Sequence, residues 1–240
     1  EMKEWCGLSE EQKSLYVGFR DASVRLRQSL SAGENVNFAS NILPVLTKLK
    51  QICDHPGIVT RKSKPLFGRS NKFDWIVDKI TEIGAGSEQV VVFSHFLGML
   101  DLLETAMRDK LVRYLRMDGS TRNRQALIDQ FNQDHTITAA ILSIQAVGHG
   151  VNLTSANHVI HADRWWNPAV EDQATDRVHR IGQDKTVYVY RILTEGTLEA
   201  RIDYLLETKR GIADRVVGAA TRDSGGWTRE DLLELLKPLD

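Results

Sequence analysis

The stretch QVVVF at residues 89–93 is apolar at every position after its first, and AAIL at residues 139–142 repeats the pattern. A strand with no polar alternation is buried on both faces, the condition of a parallel sheet covered by helices on each side. Outward from these two runs, periodicity predicts helices over residues 72–83, 97–107, 122–132, 168–179 and 198–209. Strands are predicted over 112–117, 138–142, 158–162 and 186–193. Such an alternating series predicts an α/β fold, a doubly wound parallel sheet whose ligands bind beyond the carboxyl ends of the strands. Ser94, residues 118–121, residues 143–150 and residues 163–166 all fall there.

Ahead of this region, residues 1–8 read as a short strand entering from elsewhere. Ser9 and Gln12 form a capping-box pattern opening a helix to about residue 30. A second helix spans about residues 38–52, with Pro44 as a kink or as its true start, and His55-Pro56-Gly57 ends it. Arg61, Lys62, Lys64 and Arg69 lie in a poorly periodic linker, readable as a solvated loop or as a phosphate-backbone contact. Three parts follow: an N-terminal extension with linker (1–70), an α/β lobe (71–210) and a helical tail (211–240), with Thr228 as N-cap of a short helix around residues 231–236.

The 240 residues carry a net charge of −1, so any nucleic-acid surface must be local. No apolar run approaches the about 20 residues a membrane helix needs. Cys6 and Cys53 match no disulfide or metal-ligand spacing, which suits free thiols in a reducing compartment. The expected location is cytoplasm or nucleoid, or a nucleus in a eukaryote.

EDQATDRVHRIGQ at residues 171–183 follows a helix-start signal, Asn167-Pro168, in which Asn caps and Pro takes the first helical position. Arg177 and Arg180 would share one face of that helix and reach one anion. Their planar, permanent charges suit phosphate oxygens. The competing reading is a solvated or salt-bridged face, with Glu171, Asp172 and Asp176 as partners. Gly148-His149-Gly150 would let backbone approach a phosphate, although a G-x-G alone marks a tight turn more often than a ligand site. Trp165 and Trp166 suit either base stacking or closure of the core beneath the helix. His158, His161 and His179 read as structural hydrogen-bonding groups, His179 beside the arginine turn. No G-x-x-x-x-G-K-[ST] loop occurs, and no acidic box follows an apolar strand: Asp118 comes nearest, but no second carboxylate adjoins it.

Read continuously, LSIQAVGHGVNLTSANHVIHADRWWNPAVEDQATDRVHRIGQ (residues 142–183) resembles motifs V and VI of the Swi/Snf family of ATP-dependent DNA translocases, within the superfamily-two helicase-like proteins. VVVFSHF (90–96) resembles motif IV, LRMDGSTRNRQALIDQF the block between IV and V, and QICDHP (51–56) a signature ahead of the second lobe. The resemblance spans about residues 46–210, and its wording is more bacterial or archaeal than eukaryotic.

The resemblance implies a second, RecA-like motor lobe. It would close on ATP and Mg²⁺ bound mainly by a first RecA-like lobe of the same polypeptide, missing before residue 1. Arg177 and Arg180 would act on the γ-phosphate as the catalytic residues. Gly148, Gly150, Asn152 and Gln173 would join them in nucleotide binding. Ser94, His95, Thr121, Ser143, Gln145 and Thr154 would meet double-stranded DNA. Three positions depart from the family pattern: Gln145 stands for a basic residue, Val147 for a glycine and His149 for a small or apolar one. Two alternatives stay open at this level: a lobe of a strand-separating helicase, and a non-catalytic α/β nucleic-acid-binding module.

Overall fold

The computed structural model describes residues 1–33, 37–62, 64–146, 151–165, 167–180, 182–213 and Leu235. Six strands form one sheet: β1 (Met2–Cys6), β2 (Val90–Ser94), β3 (Tyr114–Met117), β4 (Ala139–Ser143), β5 (His158–His161) and β6 (Tyr188–Thr194). Their spatial order is β1-β6-β5-β2-β4-β3, and every pairing is parallel. The chain runs from β2 outward to β3, returns through β4, and then crosses to β5 on the far side of β2. The direction of winding therefore reverses around β2, and a crevice opens at the carboxyl ends of β2, β4 and β5.

Side chains alternate across the sheet, which divides the core into two layers. Val90, Val92, Ile141 and Ile160 share a cluster with Phe73 and Ile76 of α4 (Asn71–Ala85) and with Met99 and Leu103 of α5 (Leu97–Asp109). Val91, Phe93, Leu142 and Val159 face the opposite way, into a cluster with Ile128 and Phe131 of α6 (Arg124–Gln133) and Ala174 of α7 (Pro168–Thr175). Both faces are covered, so the α/β doubly wound reading holds. Each fully buried Val, Ile or Phe contributes about 1.5–3 kcal/mol of transfer free energy.

The N-terminal strand is not an appendage. β1 pairs with β6, Met2 opposite Tyr190 and Cys6 opposite Thr194, and becomes the sheet's sixth strand. The proposed boundary at residue 70 therefore cuts through the sheet, and the helical extension proper comprises α1 (Glu10–Ser31), α2 (Leu43–Asp54) and α3 (Pro56–Thr60). The capping box forms as expected, and Gln12 also donates from its amide to the carbonyls of Ile52 and Cys53, at 2.7 and 2.9 Å. Pro44 lies in the first turn of α2, preceded by a π-helical turn at Phe38–Ile42. His55 caps α3 by accepting from the Gly57 N–H at 2.9 Å, while its other ring nitrogen meets the Leu66 carbonyl at 3.0 Å. Arg69 of the linker is buried and paired with Glu11, so it braces α1 instead of facing solvent.

α1 and α2 pack on α8 (Leu198–Ala213) in a third apolar cluster that includes Leu46, Ile52, Leu198 and Ile202. Beside it lies a buried ionic knot. Lys72 Nζ bonds Asp54 at 3.0 Å and both oxygens of Glu199 at 2.7 Å, with all three side chains at 1% exposure or less. Burial works against the Lys72 charge, but Glu199 and Asp54 outweigh it and hold the ammonium well above the usual lysine range. The knot joins α2, α4 and α8, and Glu199 also accepts from the Thr194 N–H at 3.0 Å. The expected tail helix falls outside the described residues, of which Leu235 alone is placed, buried in the third cluster.

Candidate functional site

α7 begins as expected: the Asn167 side chain accepts from the Ala169 N–H at 3.1 Å, and Pro168 takes the first turn. It ends four residues early, at Thr175, with Asp176 as C-cap. The chain then continues in turns, the Arg177 N–H on Ala174 O at 3.1 Å and the Val178 N–H on Thr175 O at 2.9 Å. Long-range contacts pull it away from the helical path. The Arg177 carbonyl accepts from the Leu153 N–H at 2.9 Å, and Val178 is fully buried. The Gln183 amide donates to the carbonyls of Thr154 and Ala156, at 3.0 and 2.7 Å. Gly182 adopts φ +102°, which residues with a Cβ rarely reach. Arg177 and Arg180 thus sit on a buttressed turn against residues 153–156, and the expectation of one shared helical face is corrected.

Two of the three acidic neighbours of that turn, Glu171 and Asp172, are engaged elsewhere, while Asp176 is exposed. Glu171, fully buried, pairs with Arg164, accepts from the Trp165 N–H at 2.7 Å and lies 3.4 Å from Arg191 Nε. Burial pushes its carboxyl up, against the pull of Arg164. Asp172 meets Arg191 at 3.0 Å. Among the described residues neither Arg177 nor Arg180 makes an ion pair, so the salt-bridged face is not what forms. Arg177 is half-buried with Nε lacking a hydrogen-bond partner among the described residues, and Asn152 Oδ1 is in the same condition. Arg180 and Gln173 are exposed. Gly148 and Gly150 lie outside the described residues, as does Trp166.

At the crevice, register sets Ser94 opposite Ser143. Both are buried, and the Ser94 hydroxyl donates to Asp163, at 2.5 Å. Asp163 also accepts from the His95 N–H at 3.1 Å and bonds His95 Nδ1 at 2.6 Å. The His95 ring lies flat on Trp165, centroids 4.0 Å apart, and Lys50 Nζ stands 4.4 Å from the centre of the Trp165 ring. Trp165 therefore serves the core. Thr121 accepts from the Asp118 N–H at 3.0 Å through its hydroxyl, Gln145 is exposed in a short 3₁₀ turn, and Thr154 is half-buried. Lys50 and Arg124 were not foreseen, and Asp163 was placed only as one of residues 163–166 beyond a strand end, with no role of its own. Arg124 donates to the carbonyls of Asp118 and Ala146, at 3.3 and 3.5 Å, and ties two of these loops together. The position of Asp163 just past a strand end was the one sequence signal for it.

His158 bonds Glu88 and His161 bonds Thr175, each at 2.9 Å, as structural groups; His179 is exposed. A cleft of about 290 Å³ near His179 is lined by Glu1, Asp172 and Asp176, carboxylates that repel a phosphate.

Residues 71–182 match the family described as Helicase conserved C-terminal domain. YwqA of Bacillus subtilis, assigned by name as an ATP-dependent helicase/translocase, is 39% identical over 235 residues, which are 96% of this chain and 24% of that protein. Human DNA excision repair protein ERCC-6 is 35% identical over 231 residues, 89% of this chain and 15% of its own length. The chain thus spans about a quarter or less of these curated relatives. The Sulfolobus solfataricus SWI2/SNF2 ATPase core in complex with dsDNA superposes with a TM-score of 0.77 at 31% identity, covering 98% of this chain and 49% of that one. Fold, motif order and relatives agree: the chain belongs to the Swi2/Snf2 family of ATP-dependent helicases and translocases, as its C-terminal RecA-like lobe.

Proposed function

We propose that this lobe closes on ATP held mainly by a preceding RecA-like lobe of the same polypeptide, brings Arg177 and Arg180 to the γ-phosphate, and carries part of a surface that tracks double-stranded DNA. The observation that supports this best is the buttressed turn at 176–180. Its two guanidiniums have no ion partner among the described residues, and Glu171 and Asp172 beside them are already engaged by Arg164 and Arg191. An arginine on a fixed backbone is pre-set for charge that develops during phosphoryl transfer, where such a group contributes about a thousandfold to a hundred-thousandfold.

The donors on this side are guanidinium, amide and hydroxyl, which fit phosphate oxygens and not a metal. Mg²⁺ bound with ATP neutralises phosphate charge, and its ligands are assigned to the other lobe. On the DNA side, Thr121, Ser143 and Gln145 lie at or beyond the carboxyl ends of the strands, whereas Thr154 lies in the approach to β5, its carbonyl held by Gln183, and the duplex bound to the Sulfolobus neighbour supports a duplex here. Ser94 and His95 act through Asp163 in this reading.

In the full-length protein, Arg177→Ala or Arg180→Ala lowers DNA-stimulated turnover by at least about a thousandfold, about 4 kcal/mol. Arg→Lys recovers little, because a point charge does not reproduce the planar fork. The isolated chain is expected to show no ATP hydrolysis. Unchanged turnover in the Arg→Ala variants would return the pair to a solvated turn.

A further inference from the structure

Two strand ends are locked together by side chains that the proposed chemistry does not itself use. Asp163, two residues past the end of β5, takes hydrogen bonds from the Ser94 hydroxyl, the His95 N–H and the His95 ring, at and just past the end of β2. The His95 ring lies on Trp165, 8° from parallel, and Trp165 also carries Lys50 of α2 on its face. The next links run into α7. The Trp165 N–H donates to Glu171 at 2.7 Å, and Arg164 pairs with Glu171 while its Nε lies 3.1 Å from Asp203 of α8. One continuous run of contacts therefore leads from the loop after β2, through residues 163–165, to the helix that delivers Arg177.

The groups are buried enough for these contacts to be stiff: the His95 and Asp163 side chains are 3% and 0% exposed. Hydrogen bonds and charge contacts in such surroundings are stronger than at the surface. Burial alone would raise the Asp163 carboxyl, yet the charge and hydrogen bond of His95, with Lys50 and Ser94, hold it well below the usual carboxylate range.

We propose that Ser94, His95, Asp163 and Trp165 form a positioning clamp, through which the loop after β2 on the DNA side sets the placement of the segment that carries Arg177 and Arg180. None of the four touches nucleotide in this scheme; they act through α7. The inference rests on the arginine reading above. An arginine displaced by about 1 Å is expected to cost on the order of a hundredfold in rate.

The test uses the full-length protein, duplex DNA and ATP. Trp165→Leu keeps an apolar side chain but removes the face on which His95 and Lys50 lie. Its DNA-stimulated kcat should fall about tenfold to a hundredfold with the KM for ATP and the affinity for DNA little changed. Trp165→Phe, which restores a ring face, should recover most of that loss. His95→Asn keeps a donor for Asp163 and loses the stack, and it should resemble Trp165→Leu; it carries the test if Trp165→Leu does not fold. Arg180→Ala runs beside them. If Arg180→Ala abolishes turnover while folded Trp165→Leu and His95→Asn retain the wild-type kcat, the clamp is overturned and the arginine reading stands. Equal loss in Trp165→Phe and Trp165→Leu also overturns it. If Arg180→Ala itself is active, the arginine reading fails first.

Discussion

Two groups of charged side chains in this lobe are built in opposite ways. In the knot of Lys72, Asp54 and Glu199, each ion is out of water and each faces an opposite charge within about hydrogen-bonding distance. At the turn of residues 176–180, Arg177 and Arg180 keep their charges without ion partners among the described residues, on a backbone held by Leu153 and Gln183. In the first group one ammonium answers two buried carboxylates and locks helices together, although Asp54 Oδ2 has no partner among the described residues and burial pushes the Asp54 carboxyl up. In the second the backbone is satisfied and the charges are left over, which is the arrangement expected of groups that await a ligand.

The contrast is sharpest if each group is damaged in turn. Lys72→Met leaves two buried carboxylates without their cation and should destabilise the fold by about 3–5 kcal/mol, read by denaturant unfolding. Replacing Lys72, Asp54 and Glu199 together by apolar residues of similar volume should cost less than Lys72→Met alone, since the penalty lies in the unpaired ions.

A smaller effect concerns pH. His161, fully buried, bonds Thr175 at the end of α7, and burial, then the charges of Arg191 and Arg164, push its pKa down to about 3. Between its unfolded value near 6.5 and about 3, the unfolded chain binds a proton that the folded one refuses, so stability falls as pH drops through that window. The expected loss from about pH 7 to about pH 5 is about 2 kcal/mol. His161→Gln, which does not titrate, should remove that component from the pH dependence of unfolding. An unchanged slope would mean that His161 is protonated in the folded chain.

The smallest effect lies at the DNA side. The chain by itself should bind duplex weakly and without sequence preference, with log affinity falling against log salt at a slope of about −0.9 per phosphate neutralised. Gln145→Lys, which adds a cation to an exposed turn, should steepen that slope by about one. Salt-independent binding would break the backbone-contact reading.

The sheet was legible because its strands are apolar on both faces, a pattern that local composition carries without reference to distant residues. The capping box at Ser9 and Gln12 and the start of α7 at Asn167 and Pro168 were legible for the same reason. The end of α7 was not. Periodicity carries a helix through Arg177, whereas contacts from Leu153 and Gln183 turn the chain at Thr175, and nothing local records them. The ionic knot was equally hidden, since a lysine reads as surface until its partner Glu199, 127 residues away, is in place. Charge spacing alone left the arginine pair open to a bland reading. The family resemblance pointed to its role, and the engagement of Glu171 and Asp172 by Arg164 and Arg191 is what sets it apart from a salt-bridged face.

The central claim is that the turn at residues 176–180 serves chemistry while the Lys72 knot serves folding. Thermal melting and DNA-stimulated ATP turnover, measured on the same preparations of full-length Arg180→Ala and Lys72→Met, test it most directly. The account predicts that Arg180→Ala melts like the wild type and loses turnover by at least about a thousandfold. Lys72→Met should melt lower, with turnover per folded molecule near the wild type. Retained turnover in Arg180→Ala, or a melting temperature that falls in step with its activity, would contradict the claim.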